Sequence, residues 1–225
     1  MMRYAWLIFR KDLRLLLARG NGFYQAVLLG LLLVFVFSMA REPGQICAPN
    51  EAATIFWLSS TFCLILVFSA LHANDEINGI RIGLLLSPMP PQAVWLGKTA
   101  AGLLACALAQ LAFLPAVFIF LNQSLRGPLF PGAASLLLTN FGICILASLL
   151  GAISRNNGGA EALLSILLFP LLVPMLLAGI SLTALSLGEG GAGSAQQWIA
   201  IAAAFDAIYT ASGIICFPLL YRGDS

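Results

Sequence analysis

The sequence predicts an all-α integral membrane protein with six transmembrane helices, and three observations support this fold class. Hydrophobic residues make up 60% of the 225 residues and charged residues only 9%, against about 25% charged residues in an average soluble domain. The mean hydropathy is +0.97. Six segments are apolar enough to form helices that cross the bilayer, which takes about 20 residues each. This composition excludes a soluble globular domain, and the abundance of apolar residues excludes intrinsic disorder.

Residues 1–21 predict an amphipathic helix that lies in the membrane interface and does not cross the membrane. Arg3, Arg10 and Arg14 fall on one side of a helical wheel, and apolar side chains form a stripe elsewhere. Such a helix places its cations among the lipid headgroups. Asp12 interrupts this separation. A cleaved signal peptide is the alternative, since residues 38–40 resemble a cleavage site, but the basic region is too long and amphipathic.

Six later segments predict the transmembrane helices, and together they form a single transmembrane domain over residues 1–225. They cover residues 22–39, 52–71, 95–121, 129–153, 162–187 and 197–220. The third segment begins with Trp95 and Lys98. An aromatic residue and a cation suit the membrane interface, so we expect both side chains to anchor this helix there.

The fifth predicted span contains two prolines, Pro170 and Pro174, which are four residues apart. Each proline removes a backbone donor and clashes with the preceding turn, so we predict a kink in this helix. Neighbouring helices can compensate for such a break in a bilayer. The functional interpretation is a hinge, and the alternative is simple shaping of the helix.

The distribution of basic residues predicts that both termini are cytoplasmic. Nine basic residues fall on the side of the N-terminus and two on the other side. The first group is Arg3, Arg10, Lys11, Arg14, Arg19, Arg81, Lys98, Arg155 and Arg222, and the second is Arg41 and Arg126. Cytoplasmic loops carry the excess of Lys and Arg, and an even number of spans returns the C-terminus to the same side.

The five cysteines do not predict a metal site or covalent haem attachment, because the sequence has no C-x-x-C motif and no Cys/His cluster. Four of them fall inside apolar runs, and we interpret them as small packing residues. Cys47 lies in a loop, and we expect it to be accessible.

Residues 72–98 form the most informative loop, and in the predicted topology it faces the cytoplasm. It combines acidic residues, glycines, a short amphipathic stretch and a proline-rich turn. The order acidic residue, glycine, short apolar helix, Ser-Pro, apolar segment and Gly-Lys resembles the first cytoplasmic loop of six-span ABC exporter permeases. The matching positions are Glu76, Gly79, Ser87, Pro88 and Lys98.

Within this superfamily the chain most resembles the CcmB family of the cytochrome c maturation system. That family typically shows a glycine pair followed by Leu-Leu-x-x-Leu-x-x-Pro-Leu-x-x-Pro, and residues 158–174 match this pattern. The chain departs from the family at Ile80 and Ile82, where the family's loop usually has a small hydroxyl residue and then an acidic residue. The loop of this chain is therefore less acidic, which affects its contacts with a partner.

The resemblance covers nearly the whole chain and implies a permease subunit of an ABC transporter in the bacterial cytoplasmic (inner) membrane. It implies pairing with a second permease copy and with a separate CcmA-like ATPase, which residues 72–98 would contact. It further implies haem as the cargo, destined for c-type cytochromes, and CcmC-like and CcmD-like haem-handling membrane subunits as partners. An exporter permease for another cargo, such as a drug or a lipid-linked glycan, is the alternative. No nucleic-acid partner is indicated.

The sequence predicts a transport subunit that is not itself an enzyme. ATP hydrolysis needs a phosphate-binding loop such as G-x-x-x-x-G-K. The single Gly-Lys pair is Gly97-Lys98, and Gln92 stands where the first glycine is required, so any ATP must be hydrolysed by another chain. An intramembrane enzyme would need convergent catalytic groups, whereas Asp206 stands alone in its span.

No haem ligand can be assigned from the sequence. His72 lies at a span boundary, and Met175 and Tyr209 lie at membrane depth, where methionine is usually a packing residue. Asp206 lies inside the last span, where a carboxylate costs at least about 2.5–3.5 kcal/mol and must face protein or water. It can line a pathway or bias a conformational switch, or it can lie near the outer interface, bonded to Thr210.

Overall fold

The computed structural model describes residues 1–18, 21–41, 47–77, 83, 89–153, 160–189 and 194–222. Within these ranges the protein is all-helical, with seven helices and no strand. They are α1 (Met2–Ala18), α2 (Asn21–Met39), α3 (Pro49–Ile77), α4 (Pro91–Phe120), α5 (Leu129–Ile153), α6 (Ala160–Leu187) and α7 (Ala195–Arg222). The all-α prediction is therefore confirmed.

Helices α2 to α7 are all long and apolar enough to cross a membrane, which confirms six spans in the predicted order. Helices α3 and α4 begin at Pro49 and Pro91, earlier than residues 52 and 95 where hydropathy alone placed them. Proline favours the first turn of a helix, because its fixed φ is already helical and its missing N–H would be unpaired there anyway. These prolines therefore extend the helices beyond their most apolar stretches.

Successive spans run in opposite directions, so the bundle has two ends. We call one the α1 end: it contains α1, the end of α3, the start of α4 and the end of α7. The other is the distal end, where the connections α2–α3, α4–α5 and α6–α7 meet. Two hydrogen bonds tie these connections together: Gln123 Nε2 donates to the Cys47 carbonyl at 2.9 Å, and the Gly127 amide donates to the Ser186 carbonyl at 3.0 Å.

Helix α4 has a central position, because it packs against α1, α2, α3, α5 and α7. Helix α1 lies against its first turns, and Gly97 permits the close approach. A Cβ at Gly97 would lie 2.7 Å from Ile8 Cβ and 2.8 Å from the Ala5 carbonyl oxygen, closer than side chains normally tolerate. The sequence-predicted helix at the N-terminus is therefore present, and one of its faces is covered by protein.

Two expectations about side-chain exposure are wrong. Trp95 and Lys98 do not anchor α4 in a lipid interface, since they are only 1% and 3% exposed. Helix α1 covers this end of α4 on one side, and Trp95 packs on Gly213 and Phe217 of α7. Cys47 is buried rather than accessible, because the α4–α5 connection lies over it through Gln123.

Candidate functional site

The first candidate element is a buried ion pair between α1 and α4. Asp12 is 1% exposed. Its Oδ2 lies 3.5 Å from the Lys98 ammonium nitrogen, and its Oδ1 lies 2.8 Å from that of Lys11. Asp12 lies on the same face of α1 as Ile8 and Leu16, which are also buried. The acid that interrupts the basic face of α1 therefore points into the protein and joins α1 to the start of α4.

This ion pair includes the last residue of the predicted coupling loop 72–98. Residues 72–77 of that segment end α3 and residues 91–98 begin α4, so both ends of the predicted loop are helical. Glu76 lies in the last turn of α3, and Lys98 lies eight residues into α4. Gly79, Ser87 and Pro88 lie outside the described residues. Of the five predicted coupling residues, the structure thus assigns a side-chain environment to Lys98, and that environment is the buried carboxylate of Asp12.

A second polar cluster lies inside the bundle and was missed by sequence reasoning. Gln110 of α4 and Asn140 of α5 form a reciprocal amide pair, with N···O distances of 2.9 and 2.6 Å. Gln110 Nε2 also lies 3.2 Å from Ser60 Oγ of α3. All three residues are buried. The signal available in the sequence was the presence of two amides inside apolar spans, where polar groups must find partners.

A third polar cluster connects α3, α5 and α6 nearer the distal end. Trp57 Nε1 donates to Thr183 Oγ1 at 2.9 Å. Ser135 Oγ lies 2.8 Å from the same hydroxyl and donates to the Gly179 carbonyl at 2.8 Å. Hydrogen bonds between spans fix which helix faces meet, because apolar surfaces in lipid have no hydrophobic preference for one another. The cluster therefore sets the register of α6 against α3 and α5.

Asp206 lies at the centre of its span and is 6% exposed. It is the twelfth residue of the 24-residue apolar stretch Ala195–Pro218, which favours a position inside the span over the alternative near the outer interface. The Thr210 hydroxyl donates to the main-chain carbonyl of Asp206 at 2.7 Å and not to its carboxylate. Neither carboxylate oxygen has a hydrogen-bond partner among the described residues.

The surroundings of Asp206 bring it together with the double-proline segment. Its Oδ1 and the Met175 Cε both occupy the space that a Cβ on Gly142 of α5 would need. Met175 directly follows Pro174 in α6, which continues as a helix through Pro170 and Pro174. One turn beyond Asp206, the Tyr209 hydroxyl donates to the Leu171 carbonyl in the same segment of α6. The predicted hinge prolines and the intramembrane acid are therefore parts of one α6–α7 contact.

The residues considered as haem ligands all have contacts within the protein. His72 Nδ1 lies 2.8 Å from the Phe68 carbonyl, one turn earlier in α3. Met175 is fully buried against Gly142, and the Tyr209 hydroxyl bonds to Leu171. Among the described residues no group of three or more His, Cys, Asp or Glu side chains forms a metal site.

Comparison with known proteins gives a consistent result. The family model described as "CcmB protein" matches residues 3–217. "Heme exporter protein B" of Paracoccus denitrificans is 27% identical over 194 residues, covering 86% of this chain and 87% of that protein. "Heme exporter protein B" of Rhodobacter capsulatus is 28% identical over 173 residues, covering 76% of this chain and 78% of that protein.

Proposed function

Because the chain belongs to the CcmB family, we propose that it is the permease subunit of a haem exporter in c-type cytochrome maturation, driven by ATP hydrolysis on a separate CcmA-like subunit. The six spans make it a multi-pass membrane protein. Two copies form the transmembrane core, and CcmC-like and CcmD-like subunits handle haem beside it. This chain undergoes the conformational change, and its partners hydrolyse ATP and handle haem.

The observation that carries the proposal is the attachment of α1 to α4 at Lys98, the last residue of segment 72–98. A partner pressing on this loop acts on the end of α3 and the start of α4. Helix α4 has 30 residues, so it is about 45 Å long at 1.5 Å per residue. Because Asp12 and Lys98 join the two helices beneath the surface, α1 must follow any displacement of the start of α4.

Movement of α4 also reaches the middle of the bundle. Gln110 lies twelve residues after Lys98 in the same helix and bonds to Asn140 of α5 and Ser60 of α3. ATP binding would then favour one of two packings of these helices, as any ligand-driven switch requires different contacts in its two states. The α6–α7 contact around Pro174 and Asp206 is the second place where packing can change, since an unpartnered intramembrane carboxylate commonly marks a functional site.

The orientation that we propose places the α1 end in the cytoplasm of a bacterial inner membrane. Arg3, Arg10, Lys11 and Arg14 lie on α1, and Lys98 lies at the start of α4, all at that end. The excess of cations supports a cytoplasmic location, where a soluble ATPase has access to residues 72–98. The distal end then faces the periplasm, where c-type cytochromes acquire haem.

Reconstitution with the CcmA-like ATPase in nanodiscs tests the coupling. We expect the chain to stimulate ATP hydrolysis, and we expect Glu76→Gln and Gly79→Val each to reduce the stimulation severalfold. Gly83→Ala is the matched control in the same loop, because a Cβ there meets no atom of the described residues within 4 Å. Unchanged stimulation in both Glu76→Gln and Gly79→Val would contradict a role for this loop.

A deletion strain tests the cargo. Loss of covalently bound haem from the periplasmic cytochromes, restored by the wild-type gene, is the expected result. Normal cytochromes together with impaired export of a drug or a lipid-linked glycan would identify the other cargo class.

A further inference from the structure

The distal end contains an apolar cavity that the proposed coupling does not use. Its volume is about 290 Å³, and the ends of four helices and one connection bound it. Each of the four helices contributes lining residues, for example Phe56 of α3, Val117 of α4, Ala133 of α5 and Leu187 of α6. The cavity is therefore remote from the α1 end, where the Asp12–Lys98 pair lies.

The lining of this cavity offers few polar partners to water. Of its 14 lining residues, all but Thr183 and Ser186 are apolar. The Thr183 hydroxyl already bonds to Trp57 and Ser135, and the Ser186 hydroxyl donates to the Pro128 carbonyl at 2.8 Å. A buried water needs two to four polar partners, and apolar cavities without them stay dry and accept apolar ligands.

The cavity opens to the surface where the α4–α5 connection meets the start of α5. Two of its lining residues, Leu125 and Leu129, are 54% and 67% exposed. The neighbouring side chains of Ile119 on α4 and Phe130 on α5 are also strongly exposed, as expected for residues in contact with acyl chains. An apolar chain from the surrounding leaflet can therefore enter without crossing a polar barrier.

The exposed side chain of Arg126 lies at the rim of the cavity. Arg126 follows Leu125 in the chain, and a Cβ at Gly188, next to the lining residue Leu187, would lie 2.8 Å from Arg126 Cβ. The Arg126 Nε donates to Ser124 Oγ at 2.9 Å, and no carboxylate of the described residues pairs with its guanidinium. An exposed guanidinium beside lipid suits the phosphate of a headgroup, which it can bind with two parallel hydrogen bonds.

We propose that the distal cavity binds an acyl chain of an anionic phospholipid whose phosphate lies at Arg126. The volume suits part of one chain, since a cavity of about 150 Å³ already holds benzene. The ligand would fill the space among α3, α4, α5 and α6 at the end where haem-handling partners are expected. This inference does not depend on the proposed transport function, because it rests on the cavity and the rim alone.

Tryptophan fluorescence provides the test, because Trp57 adjoins the cavity and Trp95 lies at the opposite end. Both are buried, at 0% and 1% exposure, so annular lipid reaches neither directly. Two variants of the full chain would each keep one of these tryptophans and carry Phe at the other three. Phosphatidylglycerol with brominated acyl chains should quench Trp57 saturably and leave Trp95 unaffected. Equal quenching of both tryptophans would overturn the proposal.

Two further variants test where the acyl chain and the headgroup bind, and a third serves as the control. Ala133→Phe fills the cavity and should abolish quenching of Trp57, while Ala207→Phe, on an exposed face of α7, should leave it unchanged. Arg126→Gln should raise the phosphatidylglycerol concentration for half-maximal quenching about tenfold, as the loss of one charged hydrogen bond predicts. Quenching that persists in Ala133→Phe, or equal affinities with and without Arg126, would contradict the site.

Native mass spectrometry of the wild-type chain gives a measurement that needs no variant. After purification from a bilayer containing phosphatidylglycerol and phosphatidylethanolamine, we expect retention of one phosphatidylglycerol per chain. Retention of neither lipid, or of phosphatidylethanolamine in preference, would overturn the proposed anionic ligand.

Discussion

Replacing Lys98 by methionine should destabilise the protein strongly, although methionine fits an apolar environment. At 3.5 Å and an effective dielectric constant of about 20, the attraction between Asp12 and Lys98 is about 5 kcal/mol before desolvation. Removing one partner of a buried pair typically costs about 3–5 kcal/mol, since the remaining charge stays buried. Lys11 still pairs with Asp12 Oδ1 at 2.8 Å, so we expect a loss of about 3 kcal/mol, at the lower limit of that range.

Thermal unfolding in detergent measures this loss. In chains of this size 1 kcal/mol shifts Tm by about 2–4 °C, so Lys98→Met should lower Tm by about 6–12 °C. Arg3→Met on the exposed side of α1 is the matched control and should change stability by less than about 0.5 kcal/mol. The double variant Asp12→Leu/Lys98→Met should recover most of the loss, because replacing both ions by apolar groups is often neutral.

The stability loss of the double variant decides whether Asp12 and Lys98 interact. If its loss equals the sum of the losses in Asp12→Leu and Lys98→Met, the two side chains do not interact, and the ion pair does not join α1 to α4. A coupling free energy of at least about 2 kcal/mol in this cycle is the outcome that the geometry requires.

The remaining predictions concern the middle of the bundle. Gln110→Leu alone should lower stability by about 1–3 kcal/mol, because the buried Asn140 amide nitrogen loses its acceptor. Gln110→Leu/Asn140→Leu should be closer to wild type in the same melts, and a double variant less stable than either single variant would contradict the pairing. Asp206→Asn should raise Tm, because it removes an unpartnered carboxylate from mid-span, and should also lower covalently bound haem in the complemented deletion strain; a raised Tm with normal cytochromes would make Asp206 a structural residue.

Much of the fold is predictable because lipid imposes a simple rule. A segment in the bilayer must satisfy its backbone internally, so length and hydropathy alone predict the six spans. The burial of Trp95 and Lys98 was not predictable in this way. The rule that aromatic residues and cations lie at the interface describes the membrane boundary, and it takes no account of α1, which covers Lys98 with protein.

In the candidate site, the helical periodicity of α1 predicts that Asp12 faces inward, but it does not predict which residue Asp12 contacts. Asp12 shares a helical face with Ile8 and Leu16, so the spacing along α1 already contained the information that this acid faces inward. Its partner Lys98 comes from a distant helix, and no local pattern predicts that contact. The Gln110–Asn140 pair has the same character, because each amide is visible in the sequence but the pairing depends on how α4 and α5 pack.

In the proposed coupling, α4 connects the α1 end, the middle of the bundle and the distal end. Lys98 holds its first turns to α1, Gln110 holds its middle to α3 and α5, and Val117 lines the distal cavity near its end. Pro115 lies between the last two and removes the hydrogen bond that would otherwise close that turn. A displacement at the start of α4 can therefore pass rigidly as far as Gln110, whereas the helix can bend in the turn that precedes Pro115. A lipid chain in the distal cavity would then stabilise the segment of α4 that is least constrained by its own backbone.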